Sequence, residues 1–419
     1  MEPISLFFKH LALPSPLCRL MEDLADIPDL SRGQAMLGGG NPAHIPEVEA
    51  AVTKAVMDLA KDPSGLARAI GDYDPPRGNI RFIEVLSELL RRRYGWPIGP
   101  DNIALTNGSQ SAFFALMNLL AGRMDDGTSR KVLLPLAPEY MGYMDAAVDP
   151  GVFVTIPAKI ELIGDHSFKY HPDLDAIRIG PDIGAICVSR PSNPSGNVLS
   201  DSELERIWQL AAGHHVPLIL DCAYGPPFPD IVYTQVSAFW RPGTILCLSL
   251  SKLGLPGVRT GIVIADPVVI HAVASINAAT GLAPGGVGPA IMTRLIEEGR
   301  LETLCQEVIR PFYSRRAQMA VQILTDRLGG LPFRIHRPDG GFFIWLWLEG
   351  LPVGCLDLYE RLKAAGVVVV PGRHFFIGSA RDWPHADQCI RISYTTDQAH
   401  LEFGLDRLCT VIRQLYQAG

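Results

Sequence analysis

The sequence predicts an α/β fold in which a large domain, built on a mostly parallel central sheet flanked by helices, is followed by a smaller α+β domain. The chain has 419 residues, more than the roughly 250–300 at which a single hydrophobic core stops growing, so two domains are expected. Between about residues 102 and 266, short apolar runs alternate with helical patterns, which is the signature of βαβ units. That alternation ends at a long helical stretch near 297–327, and a different order of strands and helices follows it. The expected division is 1–56 as an N-terminal segment packing on the small domain, 57–300 as the large ligand-binding domain, 301–330 as a connecting helix and 331–419 as the small C-terminal domain.

Within the large domain, strands are expected at 103–106, 132–135, 152–156, 185–189, 218–221, 245–249 and 261–265. A helix at 109–120 starts directly after Gly108, so its first amides are placed to hold an anion. In the small domain, Gly340-Gly341 leads into a strand at 342–348, followed by a helix at 356–365, strands at 367–370 and 389–394, and a closing helix at 401–418.

Hydrophobic residues at 47% and charged residues at 19% place the chain among globular proteins, and no stretch approaches the roughly 20 uncharged apolar residues of a membrane span. The net charge of -7 argues against a nucleic-acid partner, and Arg91-Arg92-Arg93 reads as a solvated helix face. Cysteines at 18, 187, 222, 247, 305, 355, 389 and 409 show no metal-ligand spacing, and several sit in strand-like runs, so a reduced, cytoplasmic protein without a metal site is expected. The start of the chain, Met1 to His10, has no basic segment leading into an apolar core and a cleavage site. His214, His215, His374 and His385 read as structural.

The chemistry concentrates in ordered motifs. Ser249-Leu250-Ser251-Lys252 is followed by Arg259, which joins a lysine able to form a Schiff base with hydroxyls and a guanidinium suited to a phosphate. Together they suit pyridoxal 5'-phosphate. Asp221 and Lys252 fall at the carboxyl ends of apolar runs, where ligand crevices open in α/β sheets. An aspartate there pairs with the pyridine nitrogen and makes the ring a better electron sink. Tyr224 and Asn193, the latter in Arg190-Pro191-Ser192-Asn193-Pro194-Ser195-Gly196, are candidates for holding the ring oxygen.

Taken singly, Asp221 reads equally as a helix cap, Tyr224 as a structural phenol and Lys252 as a surface lysine; their order along the chain favours the site. Thr106-Asn107-Gly108-Ser109-Gln110 supplies a phosphate cradle, and Tyr140 in Ala137-Pro138-Glu139-Tyr140 can stack on the cofactor. Arg391 is a cation inside an apolar strand, suited to a substrate carboxylate or else to an internal salt bridge. Gly38-Gly39-Gly40-Asn41-Pro42 either brings backbone amides to the same carboxylate or is an irregular turn.

From Leu37 to about Tyr394 these motifs resemble the fold-type I, class I/II aminotransferases, which depend on pyridoxal phosphate. The resemblance implies Lys252 as the Schiff-base lysine, Asp221 at the pyridine nitrogen, and Asn193 with Tyr224 at the ring oxygen. It implies Gly108, Ser109, Gln110, Ser249, Ser251 and Arg259 at the phosphate, Tyr140 stacked on the ring, and Gly39, Gly40, Asn193 and Arg391 at the substrate carboxylate. Tyr73, in Tyr73-Asp74-Pro75-Pro76-Arg77-Gly78, resembles the tyrosine that reaches the neighbouring subunit's phosphate, which implies a homodimer; Asp74 departs from the glycine often found there.

The implied reaction is a ping-pong transamination between small-molecule amino acids and 2-oxo acids, with L-valine as donor and pyruvate as acceptor. The alternatives are transfer from another neutral amino acid, a β/γ-lyase using the same cofactor residues, and a non-enzymatic ligand-sensing module. About thirty-six residues precede the Gly38 motif, which is too few for the winged-helix domain such a regulator would carry.

Overall fold

The computed structural model describes residues 33–62 and 64–418, together with Cys18 and Glu22. The remainder of the expected N-terminal segment lies outside the described residues.

The larger sheet follows from the long apolar runs. Ile103–Thr106, Gly261–Ile264, Thr244–Ser249, Leu218–Asp221, Ile183–Ser189, Ser129–Ala137 and Gly122–Arg123 lie side by side in that order, and Phe153–Pro157 also pairs with Ser129–Ala137. Gly261–Ile264 runs antiparallel to both its neighbours and Gly122–Arg123 antiparallel to its one, while the other pairs are parallel.

Such strands are buried on both faces, which explains their near-continuous hydrophobicity. Ala104, Val132, Cys187, Ile219, Cys247 and Val263 pack in one cluster with Phe113 of the helix Ser109–Leu120 and Ile270 of the helix Pro267–Gly281. Leu105, Leu133, Val188, Leu220, Leu248 and Ile262 pack in the other. All seven expected strands form, with ends shifted by a few residues.

A second sheet has the order Val370–Pro371, Cys389–Ser393, Phe343–Leu348, Phe333–His336, Ser167–His171 and Lys159–Ile163. Its last two strands differ from expectation: they form an antiparallel hairpin that lies within the range assigned to the large domain yet pairs with Phe333–His336. Lys169 explains why the hairpin stays there. Its buried ammonium donates to Asn197 Oδ1 at 2.9 Å and to the Val198 carbonyl at 3.1 Å, and it is ion-paired with Asp339.

The expected boundary after Val56 falls inside the helix Pro46–Lys61, whose buried face carries Val48, Ala51, Ala55 and Leu59. Ahead of that helix, Ala35–Met36 pairs in parallel with Val367–Val368. The expected connecting helix is three consecutive segments: Arg300–Thr303, a π-helical turn Leu304–Ile309, and Arg310–Leu328.

Candidate active site

Three parallel strands end level with one another. Ser189, Asp221 and Cys247 are in register across them, and the chain continues from these ends into Arg190–Asn193, the Ala223-Tyr224 turn and Ser249–Lys252. Sheet topology therefore gathers residues far apart in sequence at one carboxyl edge.

Asp221 is almost fully buried. Its Oδ1 accepts from the Ala223 N–H and its Oδ2 from the Tyr143 hydroxyl, both at 2.9 Å. Burial raises its pKa to about 6, with both hydrogen bonds and the charge of Lys252 opposing the rise.

Lys252 lies on a short 3-10 turn, Ser251–Leu253, just after the strand. Its Nζ donates to the Gly40 carbonyl at 2.6 Å and stands 5.6 Å and 5.5 Å from the ring centroids of Tyr224 and Phe342. Burial, helped by the cations Arg391 and Arg259, lowers its pKa to about 8. A lysine so placed is an available nucleophile and base near neutral pH.

Arg391 sits on the strand Cys389–Ser393 with its guanidinium carbon 4.1 Å from the Phe343 ring centroid and 5.2 Å from that of Phe375. It donates to Asn193 Oδ1 at 2.8 Å and to the Gly38 carbonyl at 2.7 Å, both neutral acceptors. Its buried Nε has no partner among the described residues. The internal salt bridge weighed from sequence is not among these contacts. The glycine segment turns the carbonyls of Gly38 and Gly40 toward Arg391 and Lys252.

A second group of expected residues meets at the start of the helix Ser109–Leu120. Gly108 has a left-handed φ of 89°, and a Cβ built there would stand 2.1 Å from Arg259 Nη2, so the guanidinium lies directly on the glycine. Arg259 itself has φ 48° and donates to Ser251 Oγ at 3.4 Å, while Ser249 Oγ accepts from the Ser251 N–H at 3.2 Å. Gln110 spends its amide donor on the Gly142 carbonyl at 2.7 Å, leaving Oε1 buried without a partner among the described residues. The ring of Tyr140 packs edge-on against Tyr143, 5.4 Å between centroids.

Tyr73 stands apart at 81% exposed. The neighbouring Asp74 accepts from Asn79 Nδ2 at 3.2 Å, and a Cβ on Gly286 would come within 3.2 Å of its carboxylate.

Tyr143, Glu139 and Lys169 carry no role in the motifs read from the sequence. Glu139 is fully buried, accepting from the Ser189 N–H at 3.1 Å and bonded to Ser189 Oγ at 2.5 Å, and burial raises its pKa to about 8. The signal for Tyr143 was its place three residues after Tyr140, across a turn closed by the Tyr143 N–H on the Tyr140 carbonyl at 3.2 Å, which brings the two rings together. Among the described residues no cluster of histidine, cysteine and acidic side chains could hold a metal, and no helix is long and apolar enough to cross a membrane.

Fold and site together bring a half-buried lysine, a buried aspartate and a buried arginine bonded to neutral acceptors to one edge of the sheet. The chain belongs to the class I and II aminotransferases, whose family model matches residues 29–408. It is 46% identical over 413 residues, 98% of each chain, to a valine–pyruvate aminotransferase of Escherichia coli (strain K12). The crystal structure of valine-pyruvate aminotransferase AvtA from Salmonella typhimurium LT2 is 46% identical, with TM-score 0.88 over 96% of this chain and 100% of that one. A putative amino-acid aminotransferase from Psychrobacter arcticum 273-4 is 41% identical, with TM-score 0.95 over the full length of both.

Proposed function

We propose that this chain transfers the amino group of L-valine to pyruvate, giving 3-methyl-2-oxobutanoate and L-alanine, with pyridoxal 5'-phosphate as cofactor. The observation that carries the reading is the convergence of a half-buried Lys252, its pKa lowered to about 8, with Asp221 and Arg391 at one edge of the sheet. Family membership and the likeness to valine–pyruvate aminotransferases support the reaction and the substrate pair.

The residues fit this cofactor. Gly108, Ser109, Gln110, Ser249, Ser251 and Arg259 form a small-residue cradle with a cation against it, suited to a phosphate. Asp221, Tyr224 and Asn193 would hold the ring nitrogen and oxygen, and Tyr140 would cover its face. Bound there, the cofactor supplies an electron sink for the pair left when an α-proton departs.

The chain's own side chains do the rest. Arg391, steadied by Asn193, binds the α-carboxylate of amino acid and oxo acid alike. Lys252 Nζ removes the proton from the substrate Cα and carries it during the exchange. Asp221 stays ionised against a cation while Tyr143 donates to it. The substrate pocket must take both an isopropyl and a methyl side chain, and one methylene is worth only ~1–3 kcal/mol in an apolar pocket, so related neutral amino acids will also react.

The same reading includes a homodimer with shared sites. Tyr73, Ile70 and Leu282 are exposed at 81%, 68% and 61%. Gly286 packs against Ala69 and Asp74, bringing the segments that carry these side chains together. A second copy would cover that face, with Tyr73 reaching its phosphate site. Sedimentation of the purified protein tests this, and a monomer would refute it.

The reaction is tested by adding nitrogen-15-labelled L-valine to the cofactor-loaded protein, then pyruvate. The cofactor's visible absorbance should change on valine and return on pyruvate, with the label appearing in alanine. Ammonia release without conversion of the oxo acid would point to a lyase, and a wide preference for glutamate or aspartate as donor would overturn the substrate assignment.

A further inference from the structure

Tyr313 has no part in the chemistry above, yet it is buried where segments of the site meet. Its hydroxyl oxygen accepts a 2.8 Å hydrogen bond from the Ala43 N–H. Its ring lies against Phe342, 5.4 Å between centroids, and Phe342 in turn faces Lys252 Nζ at 5.5 Å. Ala43 follows directly on the segment whose Gly38 and Gly40 carbonyls hold Arg391 and Lys252.

The connecting helix explains how Tyr313 reaches this loop. Across the π-helical turn Leu304–Ile309 the backbone bonds skip one residue more than in an α-helix, and the Arg310 N–H closes on the Cys305 carbonyl. Pro311 follows, without an N–H to extend the earlier ladder. One extra residue in a turn rotates everything after it by about 100° around the helix axis. A regular α-helix through the same residues would swing Tyr313 away from Ala43 by that angle.

The turn is also pinned. Arg310 Nε donates to the Asp230 carbonyl at 3.2 Å and the guanidinium pairs with the Asp230 carboxylate. Asp230 takes a left-handed φ of 57°, and the next N–H, of Ile231, donates to the Tyr224 carbonyl at 2.8 Å. One end of the π turn is thus anchored to the segment carrying Tyr224, while the helix beyond it presents Tyr313 to the glycine loop.

We infer that Tyr313 is a positioning residue for substrate carboxylate binding: set in place by the π turn, it holds the 38–43 loop in the geometry through which Gly38 and Gly40 aim Arg391 and Lys252. This rests on the aminotransferase reading and deepens it. Loss of the Tyr313 oxygen leaves Ala43 without its acceptor and frees the loop, while every group that touches the substrate remains.

The test is Tyr313→Phe in the cofactor-loaded protein, which keeps the ring against Phe342. Hydrogen exchange at the Ala43 amide should quicken by roughly two- to tenfold, the value of one neutral hydrogen bond. The KM values for L-valine and pyruvate should rise together by a similar factor, because both substrates present a carboxylate to the same arginine, with kcat changed less than twofold and cofactor affinity unchanged. Unaltered Ala43 exchange, a fall in kcat alone, or a lower Tm with both KM values unmoved would each overturn the inference. Failure of the functional reading would appear in the unaltered protein as no transfer from valine. The exchange comparison and direct pyruvate binding would then still decide the role of Tyr313.

Discussion

The Tyr143 hydroxyl donates to Asp221 Oδ2 at 2.9 Å, and both side chains are buried in the core beneath the carboxyl edge of the sheet. Hydrogen bonds to the charged form hold a carboxyl's pKa down, so this phenol opposes the burial that raises Asp221 to about 6. Tyr143 keeps its ring in place by edge contacts with Phe113 and Tyr140, at 4.9 Å and 5.4 Å between centroids. Tyr143→Phe should therefore leave the packing intact and move the Asp221 pKa above 6. Hydrogen bonds to charged groups are worth ~1.5–3 kcal/mol, so cofactor affinity at neutral pH should fall about ten- to a hundredfold. Titration of the cofactor into the apoprotein at several pH values measures both effects; unchanged affinity would assign Tyr143 to packing alone.

This pair also shows where sequence reasoning stopped. Asp221, Lys252 and Arg259 were legible because each ends a strand-like run or follows a small-residue turn, and strand ends at one edge of a parallel sheet converge whatever their spacing. Tyr143 was not, because its value comes from an orientation fixed by Phe113 and Tyr140. The hairpin at 159–171 was hidden for another reason. Its pattern Lys-Ile-Glu-Leu-Ile, Gly164-Asp165-His166, Ser-Phe-Lys-Tyr-His alternates as a strand pair should, but which sheet it joins depends on Phe333–His336, more than 160 residues away. The carbonyl contacts of Gly38 and Gly40 were equally illegible, since glycine in sequence announces close approach but not which backbone atom is presented.

Asp221 opposes folding near neutral pH. Its folded pKa is raised from 3.8 to about 6, so its favourable contribution is fully present below about pH 4 and is lost as the pH rises through 6. Asp221→Asn keeps Oδ1 as the acceptor for the Ala223 N–H and sets Nδ2, a donor, against the Tyr143 hydroxyl oxygen, without the buried charge. The apoprotein should then be at least as stable at pH 7 as the unaltered chain in urea denaturation, while transamination falls by about a thousandfold or more through loss of the ring-nitrogen partner. A large loss of apoprotein stability would show that Asp221 is structural first.

Lys252 carries the opposite charge and the opposite sign. Its folded pKa is lowered from 10.5 to about 8, so its contribution to stability is fully present above 10.5 and is lost as the pH falls through 8, where a buried ammonium must be carried. In the apoprotein, reductive carbon-13 methylation should reveal one lysine resonance titrating near 8 that disappears in Lys252→Met. The same variant should be more stable than the unaltered apoprotein at pH 7, with the difference shrinking between pH 8 and 10.5. A Lys252 resonance titrating above 10 would remove the basis for its role as a ready nucleophile.

Gly108 offers a test of the phosphate cradle that leaves every polar group in place. A Cβ there would fall 2.1 Å from Arg259 Nη2, and φ of 89° is itself strained for any other residue. Arg259 is held at its other side by Ser251 Oγ and the Pro256 carbonyl, at 3.4 Å and 3.2 Å, so it must break those bonds to yield. Gly108→Ala should weaken cofactor binding by more than the about five- to 150-fold equivalent to ~1–3 kcal/mol of backbone strain at such a site. Gly127 has a similar φ of 83° with open space around it, and Gly127→Ala meets the strain without the collision. A comparison of cofactor dissociation constants for the two variants separates the effects. Equal, small losses would mean that Arg259 moves freely, and that the guanidinium is not the fixed wall of the cradle.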